Sequence, residues 1–150
     1  MRLLTFALFA ASSVAFSGSA FGQTADPPKK RENARYMDVN NWAFVPNGAE
    51  RAKQIWHDIY LPAMKAAGVP LPTILHPDTG EWDMVIIFPL PGGFADLEYT
   101  NLSPSDAKWV AQIERKLGGA DKASAIGAEL DKLIARKERY LAHEHLDDAK

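Results

Sequence analysis

The chain has 150 residues and no cysteine. This absence excludes a disulfide-bonded scaffold, a thiolate metal site and a cysteine nucleophile. A basic excess is missing too, because 17 lysines and arginines stand against 19 aspartates and glutamates. Since coating nucleic acid needs a basic surface, we expect no nucleic-acid partner. Hydrophobic residues make up 47 % of the chain, which indicates a folded globular protein rather than a disordered one.

Common catalytic and cofactor motifs are absent as well. The sequence has no HExxH metal motif and no serine in a nucleophile elbow. The glycine pair Gly92-Gly93 lacks the spacing and the lysine of a phosphate-binding loop. We therefore predict no bound cofactor and no metal, and these patterns leave open whether the protein is an enzyme.

The N-terminus has the three parts of a secretory signal. Arg2 supplies the positive charge, residues 3–11 are apolar, and the small residues Ala20 and Gly22 stand before a cleavage site ahead of Gln23. A spanning helix needs about 20 apolar residues, and serines interrupt this run, so we expect cleavage and no stable membrane insertion afterwards. The signal predicts a periplasmic or secreted protein, and an uncleaved membrane tether is the alternative.

The rest of the chain is predicted to form one domain. Residues 1–22 are the predicted signal, and residues 23–35, with two prolines and few apolar residues, are predicted to be a flexible leader. The folded domain then spans residues 36–146, and residues 147–150 form a short tail.

The folded part begins with a strand and a helix. Alternation over residues 36–45 predicts a strand that is covered on both faces near its end and that stops at Pro46. Asn47 and Glu50 predict a capping box at the start of the helix that follows. Apolar residues recur at helical spacing up to the stop at Gly68, and Pro62 predicts a kink in the preceding turn.

The second half of the domain is predicted to contain a hairpin, a helical region and a last strand. Residues 73–76 and 81–88 flank a turn that contains Gly80, which predicts the hairpin. A helical region runs from Ser103, the cap, to about residue 136, with a break at a glycine pair. Residues 138–146 are ambiguous between helix and strand, and we favour a strand.

This order of elements is the split βαβ arrangement of a ferredoxin-like α+β domain. It predicts a four-stranded antiparallel sheet with helices on one face. The apolar pattern of the strands calls for cover on the other face too, and a second copy of the sheet is the simplest cover. We therefore expect a homodimer that forms through the sheet, unless the C-terminal region folds across the open face.

The region from Tyr36 to about His145 resembles the dimeric α/β-barrel superfamily, and most nearly its NIPSNAP-like branch. The matching features are a strand and helix that end in Ala66-Ala67-Gly68 and the hairpin segment 76–83, HPDTGEWD. The resemblance implies sheet-to-sheet dimers with a cavity between each sheet and its own helices. Members include monooxygenases, isomerases and proteins with no known activity. They share no fixed catalytic motif, so no catalytic residue is carried over.

His76 and Asp83 are the best catalytic candidates. If Thr79 and Gly80 form a two-residue turn, the two side chains face each other, and the carboxylate orients the imidazole as a general base. A three-residue turn would pair His76 with Trp82 instead. The simpler interpretation is a solvated pair at the end of a hairpin.

Four residues are candidates for lining a ligand cavity: His57, Trp56, Trp42 and Ile86. His57 lies beside the apolar stripe of the first helix and lines the cavity only if it turns inward. The tryptophans fit a core or a dimer interface at least as well. The leading hypothesis is an exported protein that binds a small, partly apolar molecule. The alternatives are a cofactor-independent monooxygenase- or isomerase-like enzyme and a structural or interaction dimer without a ligand.

His143 and His145 form a further pair of interest. On a strand, residues two apart point the same way and offer two imidazoles to Zn²⁺, Cu²⁺ or Ni²⁺. On a helix, the same residues diverge and cannot share an ion in this way. Incidental metal binding close to the C-terminal tail is the simpler interpretation.

Overall fold

A computed structural model describes residues 33–147 of the protein. The predicted signal, nearly all of the predicted leader and most of the predicted tail lie outside the described residues. Among the helices of residues 33–147, none has the length and apolar character needed to span a membrane.

Four strands form one antiparallel sheet. They are β1 (Ala34–Phe44), β2 (Thr73–Leu75), β3 (Met84–Leu90) and β4 (Ile134–His145). Their order across the sheet is β2-β3-β1-β4, with β1 paired to both β3 and β4. This order is that of the ferredoxin-like fold, so the predicted fold class is confirmed. The ambiguous last segment is a strand, and it begins four residues before the predicted start.

Four α-helices pack with the sheet: α1 (Gly48–Ile55), α2 (Leu61–Ala67), α3 (Pro104–Leu117) and α4 (Ala120–Leu133). A π-helical turn, Trp56–Tyr60, joins α1 to α2, and a 3₁₀-helix, Gly93–Leu97, precedes α3. The π-helical turn lies where Pro62 predicts a kink. Proline has no N–H to donate to the carbonyl four residues earlier, so the regular helical bonding is interrupted there.

The helix starts agree with the sequence prediction in one case and not in the other. Ser103 caps α3 as predicted, since its Oγ accepts a hydrogen bond of 3.1 Å from the backbone N–H of Asp106. The capping box predicted for Asn47 and Glu50 is wrong. Asn47 has a left-handed backbone with φ 64°, and its side chain makes no capping hydrogen bond. A capping side chain reaches the first-turn amides from an extended backbone, which Asn47 does not have.

The connection between the two strands of the hairpin is longer than the sequence predicts. β2 ends at Leu75 and β3 begins at Met84, so residues 76–83 form the connection. The two-residue and three-residue turns are both wrong, although Gly80 does adopt the predicted positive φ, 105°. Pro77 has no N–H to donate to a strand ladder, which is a physical reason for the pairing to stop at the end of β2.

The two faces of the sheet differ in what covers them. Residues that pair across a ladder share a face, and the even-numbered residues of β1 lie with Ile86 and Met84 on the face that the helices cover. This core buries side chains from the sheet and from α1 to α4, among them Phe44, Ile55, Trp56, Met84, Ile86, Ile113 and Leu130. The opposite face carries apolar side chains that do not belong to this core: Met37, Val39, Val85, Ile87 and Tyr140.

Candidate ligand-binding cavity

A cavity of about 380 Å³ lies between the helix-covered face of the sheet and the α2–α3 side of the helical layer. The segment that contains the 3₁₀-helix closes another side. The apolar part of the lining includes Met64, Val69, Phe88, Leu97 and Trp109. The polar part includes Asp38, Asp96, Ser103, Asp106 and Arg139. Volumes of this order, with an apolar wall and a few polar groups, are typical of small-molecule sites.

Asp38 and Arg139 form an ion pair in the lining of this cavity. The Nε of Arg139 donates to the two carboxylate oxygens of Asp38 at 2.8 and 3.0 Å, and its Nη2 lies 2.8 Å from Oδ2. Arg139 stands opposite Asn40 in the ladder, so the pair runs diagonally from β4 to β1. The hydrogen bond to Asp38 raises the pKa of Arg139 above its ordinary value, which keeps the guanidinium charged.

The two partners of this pair differ in exposure. The side chain of Asp38 is 12 % exposed, and that of Arg139 is 58 % exposed. A further, longer hydrogen bond of 3.3 Å reaches the Oδ1 of Asp38 from the side-chain amide of Asn40. Because a guanidinium carries five N–H donors, Arg139 retains donors for a ligand acceptor after it binds Asp38.

Trp109 provides an oriented aromatic wall. Its indole N–H donates to the backbone carbonyl of Tyr60 at 3.2 Å, and the two rings meet edge to face at 5.4 Å between centroids. The polar edge of Trp109 is therefore satisfied by the protein, and its hydrocarbon surface is available to the cavity. Tyr60 itself is buried, and this burial raises the pKa of its phenol, as does the nearby charge of Asp131.

Acidic groups outnumber basic ones in the lining. Three carboxylates, those of Asp38, Asp96 and Asp106, stand against the guanidinium of Arg139. Two of them accept hydrogen bonds from residues close in sequence: Asp96 accepts from the N–H of Gly92, and Asp106 accepts from the hydroxyl of Ser103, each at 2.8 Å. Such a lining disfavours an anionic ligand and favours a neutral or cationic one.

The structure does not bring the predicted catalytic pair together. His76 is exposed in the connection between β2 and β3. Asp83 is bound to the end of β1: its carboxylate accepts from the N–H of Phe44 at 2.7 Å, and its own N–H donates to the carbonyl of Trp42 at 2.9 Å. The cross-strand register that would make His76 and Asp83 face each other is not formed, because Leu75 pairs with Val85. A catalytic role for the two residues stays a prediction.

None of the four predicted ligand-binding residues is part of the cavity lining. Ile86 and Trp56 are buried at 0 % and 2 % exposure, Trp42 packs against the same core, and His57 is exposed on the π-helical turn. The ring of Trp56 lies 6.1 Å from that of Phe88 and 6.5 Å from that of Trp109, both of which line the cavity. Trp56 thus packs in the core against two residues that line the cavity, without lining it itself.

Sequence reasoning missed the residues that do line the cavity. One signal was present: Asp38 interrupts the side of β1 that also carries Trp42 and Phe44, and a carboxylate on a core-facing position needs a partner. Arg139 had no comparable signal, since its strand was the least certain element and its neighbours are charged.

Comparison with known proteins shows similarity in structure. No family model matches the chain, and neither does any curated protein. A solved NIPSNAP family protein from Agrobacterium tumefaciens is 11 % identical, with a TM-score of 0.46, over 72 % of this chain and 90 % of that one. A second from the same organism, of unknown function, is 13 % identical, with a TM-score of 0.47, over 77 % and 92 %.

An uncharacterized NIPSNAP domain protein from Burkholderia xenovorans is also similar. It is 13 % identical, with a TM-score of 0.42, over 71 % of this chain and 91 % of that chain. These proteins carry the name of the branch that the sequence resembles. The likeness is one of fold, and no residue role passes from them to this chain.

Proposed function

We propose that the protein binds a small, partly apolar molecule, neutral or cationic, in the cavity between the sheet and its helices. The observation that carries this proposal is the cavity itself, about 380 Å³ with the Asp38–Arg139 ion pair among aromatic and aliphatic side chains. The apolar body of a ligand would pack against Phe88 and Trp109. An acceptor group on the ligand would take a hydrogen bond from Arg139.

Two further parts of the proposal concern where the protein works and in what form. The signal-like residues 1–22 support export to the periplasm or the outside of the cell. The apolar side chains on the second face of the sheet support a homodimer in which two sheets pack face to face. Each copy would then hold its own cavity on the side away from the partner.

The proposal is tested by filling the cavity from its rim. Ser105 is exposed in the first turn of α3 and lines the cavity, so Ser105→Phe places a bulky ring there without opening the core. Ser124 is an exposed residue of α4 outside the lining, and Ser124→Phe is the matched control. The probe is Nile red, a neutral apolar fluorophore, titrated into tag-free protein.

We expect Ser105→Phe to weaken Nile red binding at least tenfold, whereas Ser124→Phe leaves it unchanged. Native mass spectrometry of the same preparations checks for a molecule that copurifies, and that mass should disappear in Ser105→Phe alone. If both variants bind the probe as the original chain does, the probe occupies another surface and the cavity proposal is wrong.

A further inference from the structure

The last strand presents two histidines side by side. β4 extends through His145, and the ladder aligns Tyr36 with His143 and Ala34 with His145, so both imidazoles lie on one face. Their Nε2 atoms are 3.1 Å apart, and their ring centroids are 4.8 Å apart. The condition that the sequence left open, a strand rather than a helix, is therefore met.

This separation matches the spacing of two ligands on one metal ion. Metal–imidazole bonds to Zn²⁺ are about 2.0–2.1 Å long. Two such bonds whose nitrogens are 3.1 Å apart enclose an angle of roughly 98° at the ion, between the values of about 90° for square-planar and 109° for tetrahedral coordination. A pair closer than about 2.9 Å would force the angle below either geometry, and a pair beyond about 4 Å could not share an ion.

The backbone under the pair is held in place by its pairing with β1. The β1–β4 ladder runs through both positions, and beyond them the N–H of Leu146 donates to the carbonyl of Asn33 at 3.0 Å. The ring of Tyr36 lies 5.9 Å from that of His143. Ligands mounted on a paired strand lose less conformational entropy on binding than ligands on a mobile tail, which favours chelation.

We propose that His143 and His145 together bind a divalent transition-metal ion through their Nε2 atoms. Imidazole nitrogen suits Cu²⁺, Ni²⁺ and Zn²⁺, and the general order of affinities makes Cu²⁺ the tightest of the three. Within residues 33–147, no group of three or more histidines, aspartates and glutamates is placed to hold an ion. Water then completes the coordination shell, so the ion stays open to exchange. The site is independent of the cavity, whose lining does not include the pair.

The test uses Cu²⁺ alone and tag-free protein. Calorimetric titration in the presence of a weak competing chelator gives the affinity, and the Cu²⁺ spin-resonance spectrum reports how many nitrogens are bound. We expect one ion per chain and a two-nitrogen signature. His143→Asn and His145→Asn should each weaken binding about a hundredfold, since the second ligand of a linked pair acts at high effective concentration.

The chain provides matched controls for this experiment. His57 and His76 are exposed histidines on other elements, and His57→Asn and His76→Asn should leave the Cu²⁺ affinity unchanged. Thermal unfolding of each variant without metal checks that the fold is kept. The proposal is overturned if only one of His143 and His145 matters, or if the control substitutions cause the same loss, because binding is then to single surface imidazoles.

Discussion

Asp38 and Arg139 bridge β1 and β4 through an ion pair whose two ends have unlike surroundings. The carboxylate is nearly buried and the guanidinium is more than half exposed. Water can replace Asp38 as a partner of the exposed Arg139 more fully than it can replace Arg139 as a partner of Asp38, whose side chain is 12 % exposed. The two halves of the pair should therefore differ in what their loss costs the fold.

We predict that Arg139→Gln destabilises the protein by about 1–3 kcal/mol, because it leaves a buried carboxylate with only the long hydrogen bond from Asn40. Asp38→Asn should cost less, since the freed guanidinium is solvated. The measurement is urea unfolding at pH 7. Equal losses for the two substitutions would contradict this asymmetry.

Arg136 provides the control for that comparison. It lies on the same strand, pairs with Glu81 at 2.7 Å and has its guanidinium carbon 4.3 Å from the centre of the Trp82 ring, yet both members of the Arg136–Glu81 ion pair are exposed. Arg136→Gln should therefore cost no more than about 1 kcal/mol, as is usual for exposed ion pairs.

Two glycines are predicted to respond oppositely to the same substitution. A Cβ at Gly48 would lie 3.0 Å from the Cγ2 of Val45 and 3.2 Å from the carbonyl oxygen of Leu133. That oxygen accepts the hydrogen bond from the N–H of Val45 at 2.9 Å, so it cannot retreat freely. Gly48→Ala should destabilise the protein by about 1–3 kcal/mol.

Gly127 is the counterpart in the interior of α4, where a Cβ meets nothing within 4 Å. Gly127→Ala should stabilise the protein by about 0.5–1 kcal/mol, because alanine is the better helix former. Thermal unfolding of both variants gives the two signs. A stabilised Gly48→Ala variant would show that α1 shifts to make room at its start.

Local sequence pattern predicts most elements of the fold but few of the residues that line the cavity. The two positive-φ glycines Gly118 and Gly119 separate α3 from α4 where the sequence breaks, and Ser103 caps α3 as predicted. Each of these features depends on residues close in sequence. The hairpin register does not, because the length of the β2–β3 pairing depends on how far both strands are held by the rest of the sheet.

The cavity depends on still longer connections. Asp38 and Arg139 are 101 residues apart in sequence, and only the β1–β4 pairing brings them together. The sequence pointed to the aromatic residues as candidates, but it did not show which of them lie in the core and which line the cavity. Trp56 and Trp109 both have helical apolar spacing, and nothing local tells which one is enclosed and which one reaches the cavity.

Tyr60 is predicted to make the protein sensitive to alkaline pH. Its burial raises the pKa of the phenol above the ordinary value of about 10, and the charge of Asp131 adds to this. The folded state then holds the phenol proton more tightly than the unfolded state does. This contribution to the free energy of unfolding is fully present below about pH 10 and is lost as the pH rises toward the folded-state pKa.

Tyr60→Phe removes that group and should flatten the alkaline part of the profile. The free energies of unfolding of the two proteins should differ by a constant amount from pH 6 to pH 9. Above about pH 10, the difference should shift in favour of the variant. Urea unfolding at several pH values measures this difference in the free energy of unfolding. Parallel curves up to pH 11 would show that the Tyr60 phenol ionises equally well in the folded and the unfolded state.

The second face of the sheet is predicted to hold two copies together. Ile87 lies on this face of β3, between Val39 of β1 and Thr73 of β2 in the ladder. Ile87→Lys would bring a charge into the interface and should raise the dimer dissociation constant about a hundredfold or more, because an unpaired charge is costly to desolvate.

Leu102→Lys, at an exposed residue of the loop before α3, is the control and should leave the dimer intact. Sedimentation velocity over a range of concentrations measures both. An unsubstituted chain that stays monomeric at high concentration would rule out the sheet-to-sheet dimer.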